Sequence, residues 1–316
     1  MNKQIIDAIL SAAIKAPSGH NTQPWLFCPC AGGIRVLPDA SRRLPRLDPT
    51  DRELYISMGC AVENMCIAAT QYHLAANAEV DGDGSVRVLF AEAGRVEESS
   101  LASVIPLRHT NRNTFDGSGV PGDVIDALSG CVTLLCNNGT PQFDIIADGI
   151  REANKVIYGN RQMVSELKEW LRYNRQESEA GADGLGHDVM GLPDMPSWIS
   201  RAITSVALNA GVQTRSDIKK LYSSPAVAVF SSADDINGRI DCGRRLQRFL
   251  LTATLHDVAC AFIGQPCEVE WVAAKLAMSL GLPERLQLLV RIGHAAPPAA
   301  YSRRRPLGDF WQEGDS

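Results

Sequence analysis

Apolar side chains at Ile5, Ile6, Ile9, Leu10 and Ile14 recur at helical spacing, which predicts an amphipathic helix over residues 3–15. Pro17 and Gly19 stop it. Trp25-Leu26-Phe27 and Ile34-Arg35-Val36-Leu37 predict two strands joined by a Gly-Gly turn. Thr50-Asp51-Arg52-Glu53 has the spacing of a capping box, and the helix it would open runs through Leu54, Met58, Val62, Met65, Ile67 and Leu74. A strand is expected over 86–90, after an Asp-Gly-Asp-Gly turn. Polar sequence to about Ser100 then marks a lobe boundary, giving lobes 1–100 and 101–316. In the second lobe the pattern predicts helices over 121–128, 148–176, 243–262 and 267–280, and strands over 222–230 and 286–292. Residues 177–196 are rich in Gly, Asp and Pro and carry no period.

The same pattern repeats within the chain. Gly59, Val62, Glu63, Met65, Ile67, Ala69 and Thr70 align without gaps on Gly243, Leu246, Gln247, Phe249, Leu251, Ala253 and Thr254, and the match extends to Leu74-Ala75 against Val258-Ala259. The offset is 184. Ile5-Ile6-Asp7-Ala8 matches Val124-Ile125-Asp126-Ala127 at an offset of 119. Two copies of one lobe are therefore expected, the second longer by the 65 residues that separate the offsets. That excess reads as a lid-like arm, about 160–215, inserted in the second copy.

Composition narrows the function. A chain of 316 residues with 45% hydrophobic and 21% charged residues has a real core in one large or two modest domains. A net charge of −5 argues against a nucleic-acid surface. No apolar run approaches the roughly 20 residues of a membrane span. Met1-Asn2-Lys3-Gln4 leads straight into an amphipathic stretch, without a signal h-region, so a cytoplasmic location is expected. Nine scattered cysteines include Cys60, Cys66, Cys131 and Cys260 in apolar stretches, and their spacing calls for no metal. His73 and His256 lie in helical patterns and read as packing residues, while His187 and His294 have no evident partner. Gly181-Ala182-Asp183-Gly184-Leu185-Gly186 follows no strand and is not a dinucleotide loop, and there is neither a Walker sequence nor a Gly-x-Ser-x-Gly elbow.

Two stretches carry chemistry. Pro17-Ser18-Gly19-His20-Asn21-Thr22-Gln23-Pro24-Trp25 packs donors, acceptors and a flat apolar wall between two prolines, more than a solvent turn requires. Arg108-His109-Thr110-Asn111-Arg112 places a hydroxyl and an amide between two guanidinium groups, a set suited to a phosphomonoester and a polyol.

Together they resemble the nitroreductase family, and nearly the whole chain resembles its two-lobe, Acg-like branch. The resemblance implies an α+β fold of two fused lobes, an intrachain pseudo-dimer with sheets flanked by helices and FMN between them. It implies FMN contacts from Pro17, Ser18, Gly19, His20, Asn21 and Gln23, and a phosphate and ribityl grip from Arg108, His109, Thr110, Asn111 and Arg112. Gly264 and Gln265, in Phe262-Ile263-Gly264-Gln265-Pro266 at the end of a long helix, would face the flavin N5 edge. Arg304 resembles a final phosphate-binding arginine, with Arg303 and Arg305 blurring the choice. The implied activity takes hydride from NADH or NADPH to the flavin and on to a nitroaromatic- or quinone-like acceptor. A monomer suffices, because the pseudo-dimer is intrachain. The alternative is an FMN-storing protein whose lid excludes substrates. One FMN per chain is expected. At the 119 offset the loop's counterpart, residues 135–144, has no Pro-Ser or Gln-Pro-Trp, and Arg108 has no counterpart after Met1.

Overall fold

A computed structural model describes residues 2–92, 96–298 and 300–312. Helix α1 (Lys3–Ala13) buries Ile9, Leu10 and Ala13. Strands β1 (Trp25–Cys30) and β2 (Gly33–Pro38) form the expected hairpin. Helix α2 (Arg52–Ala69) follows, then β3 (Leu74–Val80) and β4 (Val86–Glu92), in an antiparallel sheet of order β1-β2-β4-β3.

The second lobe repeats this plan. After α3 (Gly122–Ser129) and β5 (Leu134–Asn137), the chain departs through α4 (Pro141–Gly159), α5 (Arg161–Glu169), β6 (Leu171–Arg172), α6 (Arg175–Gly181), β7 (Leu185–Gly186), α7 (Ser197–Ala207) and α8 (Ala210–Tyr222). It returns as β8 (Ala226–Ser232), α9 (Ile236–Leu255), β9 (Ala259–Phe262), α10 (Gln265–Glu268), α11 (Glu270–Ser279) and β10 (Arg285–Gly293). The sheet order is β5-β8-β10-β9, antiparallel throughout. Each strand matches its first-lobe counterpart position for position. The excess sequence thus occupies residues 138–225, where the first lobe has only the Gly-turn between β1 and β2.

The two lobes meet where the repeat predicts equivalence. Fifteen of the 18 residues of α2 are buried, so this helix packs on nearly every side rather than along one stripe. It crosses α9 at Gly59 and Gly243, the residues the 184 offset superposes. A Cβ on Gly59 would collide with the Ile240 carbonyl, and one on Gly243 with the Ile56 carbonyl. Ile56 and Ile240 are themselves 184 apart, so the crossing has a local two-fold relation. Cys60 Sγ contacts the Gly243 carbonyl at 3.1 Å, and Gln247 donates to Asn64 at 2.7 Å. Backbone cannot yield as a flexible side chain can. Gly243→Ala is expected to lower unfolding free energy by about 1–3 kcal/mol, read from the urea midpoint at constant slope.

Several expected elements are corrected. Thr50 and Glu53 form no capping box. Asp51, in the left-handed region at φ 57°, precedes the helix, and the Asp48 carboxylate accepts the amides of Arg52, Glu53 and Leu54. The helix stops at Ala69, not beyond Leu74; His73 turns left-handed, and Leu74 begins β3. The expected helix over 148–176 is interrupted at Asn160, whose side chain caps α5. The helix expected over 243–262 ends at Leu255 and becomes β9, so Phe262-Ile263-Gly264 follows a strand rather than a long helix. The one expected over 267–280 breaks at Val269. Strand β8 begins at Ala226, while Tyr222 ends α8. Residues 177–196 hold part of α6 and all of β7. His73 and His256 are exposed at helix ends and do not pack in the core, whereas His187 is buried beside Ser178 and 3.9 Å from Asp194. After α2 and α9, apolar residues of the following strand, β3 or β9, had prolonged the apparent helical period.

Among the described residues no helix is long and apolar enough to cross a membrane, no group of three His, Cys, Asp or Glu could hold a metal, and the nine cysteines are free.

Candidate functional site

A cavity of about 660 Å³ gathers the separate sequence signals. Pro17, Ser18, Gly19, His20 and Asn21 line it, as do Arg108, His109, Thr110 and Arg112, Gly264 and Gln265, and Arg304. The stretch 185–192 and parts of α7 and α8 complete the wall from the inserted segment.

The loop between α1 and β1 is held in an uncommon conformation. His20, Asn21 and Gln23 all take left-handed φ, at 48°, 57° and 54°. Such backbone persists only where its surroundings fix it. Here the fixing groups are the Asn and Gln side chains themselves. Asn21 Nδ2 donates to the carbonyls of Gly184 at 3.0 Å and Arg303 at 3.1 Å. Gln23 Nε2 donates to Ala182 O at 3.0 Å, and its Oε1 accepts the Arg305 amide at 3.0 Å. Gln23 is fully buried and does not reach the cavity. Trp25 stacks on Phe310, with ring centroids 6.4 Å apart. His20 Nδ1 is buried without a partner among the described residues, and burial followed by the charge of Arg112 brings the imidazole down to about 4. It is neutral at physiological pH.

The arginine segment is pinned from the other side. The Asn111 amide bonds Cys260 O of β9 at 2.9 Å, and Asn111 Nδ2 donates to Ala296 O at 2.8 Å. Asn111 therefore positions the segment without lining the cavity. Arg108 donates to Lys15 O at 3.1 Å, and among the described residues its Nε has no partner. Burial, with Arg112 adding repulsion, brings its guanidinium down to about 10. Arg112 is also lowered, by burial alone, and among the described residues no carboxylate pairs with it. Arg304 reaches the wall with its donors occupied by the carbonyls of Ile14, Lys15 and Ala16 and by Asn21 Oδ1.

The fold adds residues that the motifs did not announce. Arg291, on β10, stacks over Phe115 at 3.9 Å and donates to Asn111 O and Asn113 O, but its Nη1 has no partner among the described residues. A charge inside Leu288-Leu289-Val290-Arg291-Ile292 was a legible signal. Lys220, lowered mainly by burial, feels Asp217, Arg291 and Arg112. Asp217 is the one acid in this group, and it also accepts from Asn154 and Gln265.

A second, acidic set lines the wall from α2 and α10. The charges acting on Glu268 are those of Glu53, Arg52, Asp48 and Glu166. Those acting on Arg108, Arg291 and Lys220 come from Arg112, Asp217, Arg291 and the cysteines Cys60 and Cys260. The cavity wall thus carries both a cationic group and the carboxyls Glu53 and Glu268.

No family model matches the chain. Among curated proteins it is similar to "Putative NAD(P)H nitroreductase Rv3131" of Mycobacterium tuberculosis, 27% identical over 98% of this chain and 92% of that protein. It is also similar to "Putative NAD(P)H nitroreductase acg" of the same organism, 26% identical over 97% of this chain and 95% of that one. A solved structure of the FMN-dependent nitroreductase NfnB from Mycobacterium smegmatis, in complex with NADPH, aligns with 66% of this chain and 96% of its own at 17% identity and TM-score 0.43.

Proposed function

We propose that this protein, a relative of the Acg-like nitroreductases along nearly its full length, is an FMN-binding oxidoreductase linked to NADH or NADPH. The observation that carries the reading is the meeting of the Pro-Ser loop with Arg108 and Arg112 on one cavity, where neither guanidinium has a carboxylate partner among the described residues. Buried cations without a counter-charge beside them favour an anion there, because desolvated charge that is unmatched is strongly unfavourable. The volume lies within the roughly 300–1,000 Å³ of cofactor pockets. Arg108 and Arg112 would hold the phosphate, and Thr110 and Ser18 offer hydroxyls to the ribityl chain. Neutral His20 and the apolar wall would flank the ring. When bound, FMN supplies the two-electron chemistry, from nicotinamide to a nitroaromatic- or quinone-like acceptor. One chain provides both halves of the site, so a monomer suffices, and the division near residue 100 separates the loop from the arginines. The purified yellow protein, mixed anaerobically with NADPH, is expected to bleach rapidly.

A second reading, FMN storage, is favoured by how the inserted segment is latched. Asn21 and Gln23 bind its residues 182–184, and Asp183 pairs with Arg42 at 3.0 Å and Arg172 at 2.6 Å. Both arginines lie over the Trp170 ring, at 5.8 and 5.9 Å. Arg303 holds Asp188 at 2.8 Å. A flavin reduced by dithionite but not by nicotinamides would favour storage. Asp183→Ala is expected to raise the rate of limited proteolysis within 177–196 several-fold and to speed flavin release, since it removes the carboxylate that joins Arg172 to Arg42 and leaves Arg42 with Asp39 at 3.8 Å. Unchanged cleavage would mean that the latch does not hold the segment.

A further inference from the structure

The wall carboxyls Glu53 and Glu268 have no part in holding an anion, yet the charges of Glu53, Asp48, Glu166 and the Arg52 guanidinium all act on Glu268. Buried Arg52 donates to Glu53 Oε1 at 2.8 Å and to the Gln287 carbonyl at a bulge in β10. Asp48 accepts three backbone amides, and Glu166 accepts those of Arg46 and Leu47. Glu268 has no such support. What acts on it is burial first, then Glu53, Arg52, Asp48 and Glu166, with Cys267 beside it in the chain and Tyr158 within electrostatic reach. Four anions around one cation in a buried site cannot all persist, so a proton is retained by the carboxyl with the fewest donors. That carboxyl is Glu268, raised well above the usual carboxylate range.

Its placement is also specific. Glu268 lies on the cavity wall, with Oε1 2.7 Å from the point where a Cβ of Gly264 would stand. Glu53 Oε2 is 2.6 Å from the corresponding point on Gly19. The two carboxyls thus reach the cavity over the glycines of two different wall segments. A phosphate held by Arg108 and Arg112 leaves the uncharged part of a ligand, and any second substrate, to the rest of the cavity, whose wall includes Glu268 and Glu53.

We propose that Glu268 is the proton donor for the organic acceptor, with Glu53 as its ionised partner. The proposal rests on the oxidoreductase reading above. For a quinone-like acceptor, hydride brings two electrons and one hydrogen, ultimately from NAD(P)H. The second hydrogen comes as the Glu268 proton. The carboxyl O–H bond breaks with its electron pair left on the carboxylate, an O–H bond forms on the acceptor, and water returns the proton to Glu268. The acceptor becomes a hydroquinone and NAD(P)H becomes NAD(P)⁺.

The test compares wild-type holoprotein with Glu268→Gln, which keeps the shape and a hydrogen-bond donor but has no transferable proton. Glu268→Asp carries the test if the Gln variant does not fold. Anaerobic stopped-flow separates reduction by NADPH from reoxidation by 1,4-benzoquinone. Reoxidation, relative to reduction, should slow roughly a hundredfold or more in the Gln variant. It should also lose its solvent isotope effect in D₂O and its fall in rate at alkaline pH. Independently, the flavin-free wild type at neutral pH should show the infrared carbonyl band of a protonated carboxyl, absent from Glu268→Gln. Reoxidation at the wild-type rate with the isotope effect intact overturns the donor role, as does the lack of that band in the wild type. If the band is present but NADPH never reduces the wild-type flavin, the oxidoreductase reading falls and takes the donor role with it.

Discussion

Arg112→Ala is expected to weaken FMN binding about ten- to a hundredfold, since a hydrogen bond to a charged group contributes roughly 1.5–3 kcal/mol. The fold should be unaffected, because no carboxylate among the described residues depends on Arg112. Unfolding of the flavin-free variant should be unchanged or shifted upward. Arg112 adds its charge to that felt by Arg108, Lys220 and His20, and its removal relieves that repulsion. Opposite signs on affinity and on stability are hard to obtain from a general loss of structure. Arg108→Ala should cost similar affinity but also some stability, because Arg108 holds Lys15 O at the end of α1. Fluorescence-quenching titration of apoprotein measures the first effect and urea unfolding the second. If both variants hold flavin like the wild type, the phosphate lies elsewhere, and the unpaired guanidinium groups serve another anion.

The loop, the arginine segment, Gly264 and Gln265 were legible because chemistry clustered in short stretches of the chain. The roles within those clusters were not. Asn21, Gln23 and Asn111 look like ligand groups in sequence, yet their side chains fix backbone, and only the three-dimensional partners at 182–184, 303–305 and 296 reveal it. Glu268 and Lys220 gave no signal, since each sits in unremarkable sequence and becomes chemical only through neighbours from other elements. The repeat was legible in α2 and α9 because a close helix crossing constrains residue size. It failed over residues 135–144, where a constant offset cannot follow a shortened loop. Strand β5 takes the place in its sheet that β1 takes in the first, so the counterpart of the loop is the four residues 130–133.

That shortened loop sharpens the stoichiometry: apoprotein should saturate at one FMN per chain. A symmetric pair of lobes would offer two sites, each with a loop from one lobe. Residues 130–133 run from α3 directly into β5, with neither the length nor the Pro-Ser and Gln-Pro-Trp chemistry of residues 16–25. The helical wall differs as well. At the 184 offset, Glu53, Ser57 and Cys60 of the cavity correspond to Asn237, Asp241 and Arg244. Asp241 is paired with Arg245 at 3.0 Å and Arg244 with Glu63 at 2.9 Å, so charge on that side is already matched within the protein. A phosphate there would have to break those pairs, whereas at Arg108 and Arg112 it supplies a missing partner. Flavin fluorescence quenched against added apoprotein should break at one equivalent. A break at two would mean that the lobes remain equivalent in binding despite the shortened loop, and the pairing of the Pro-Ser loop with the arginine segment would be wrong.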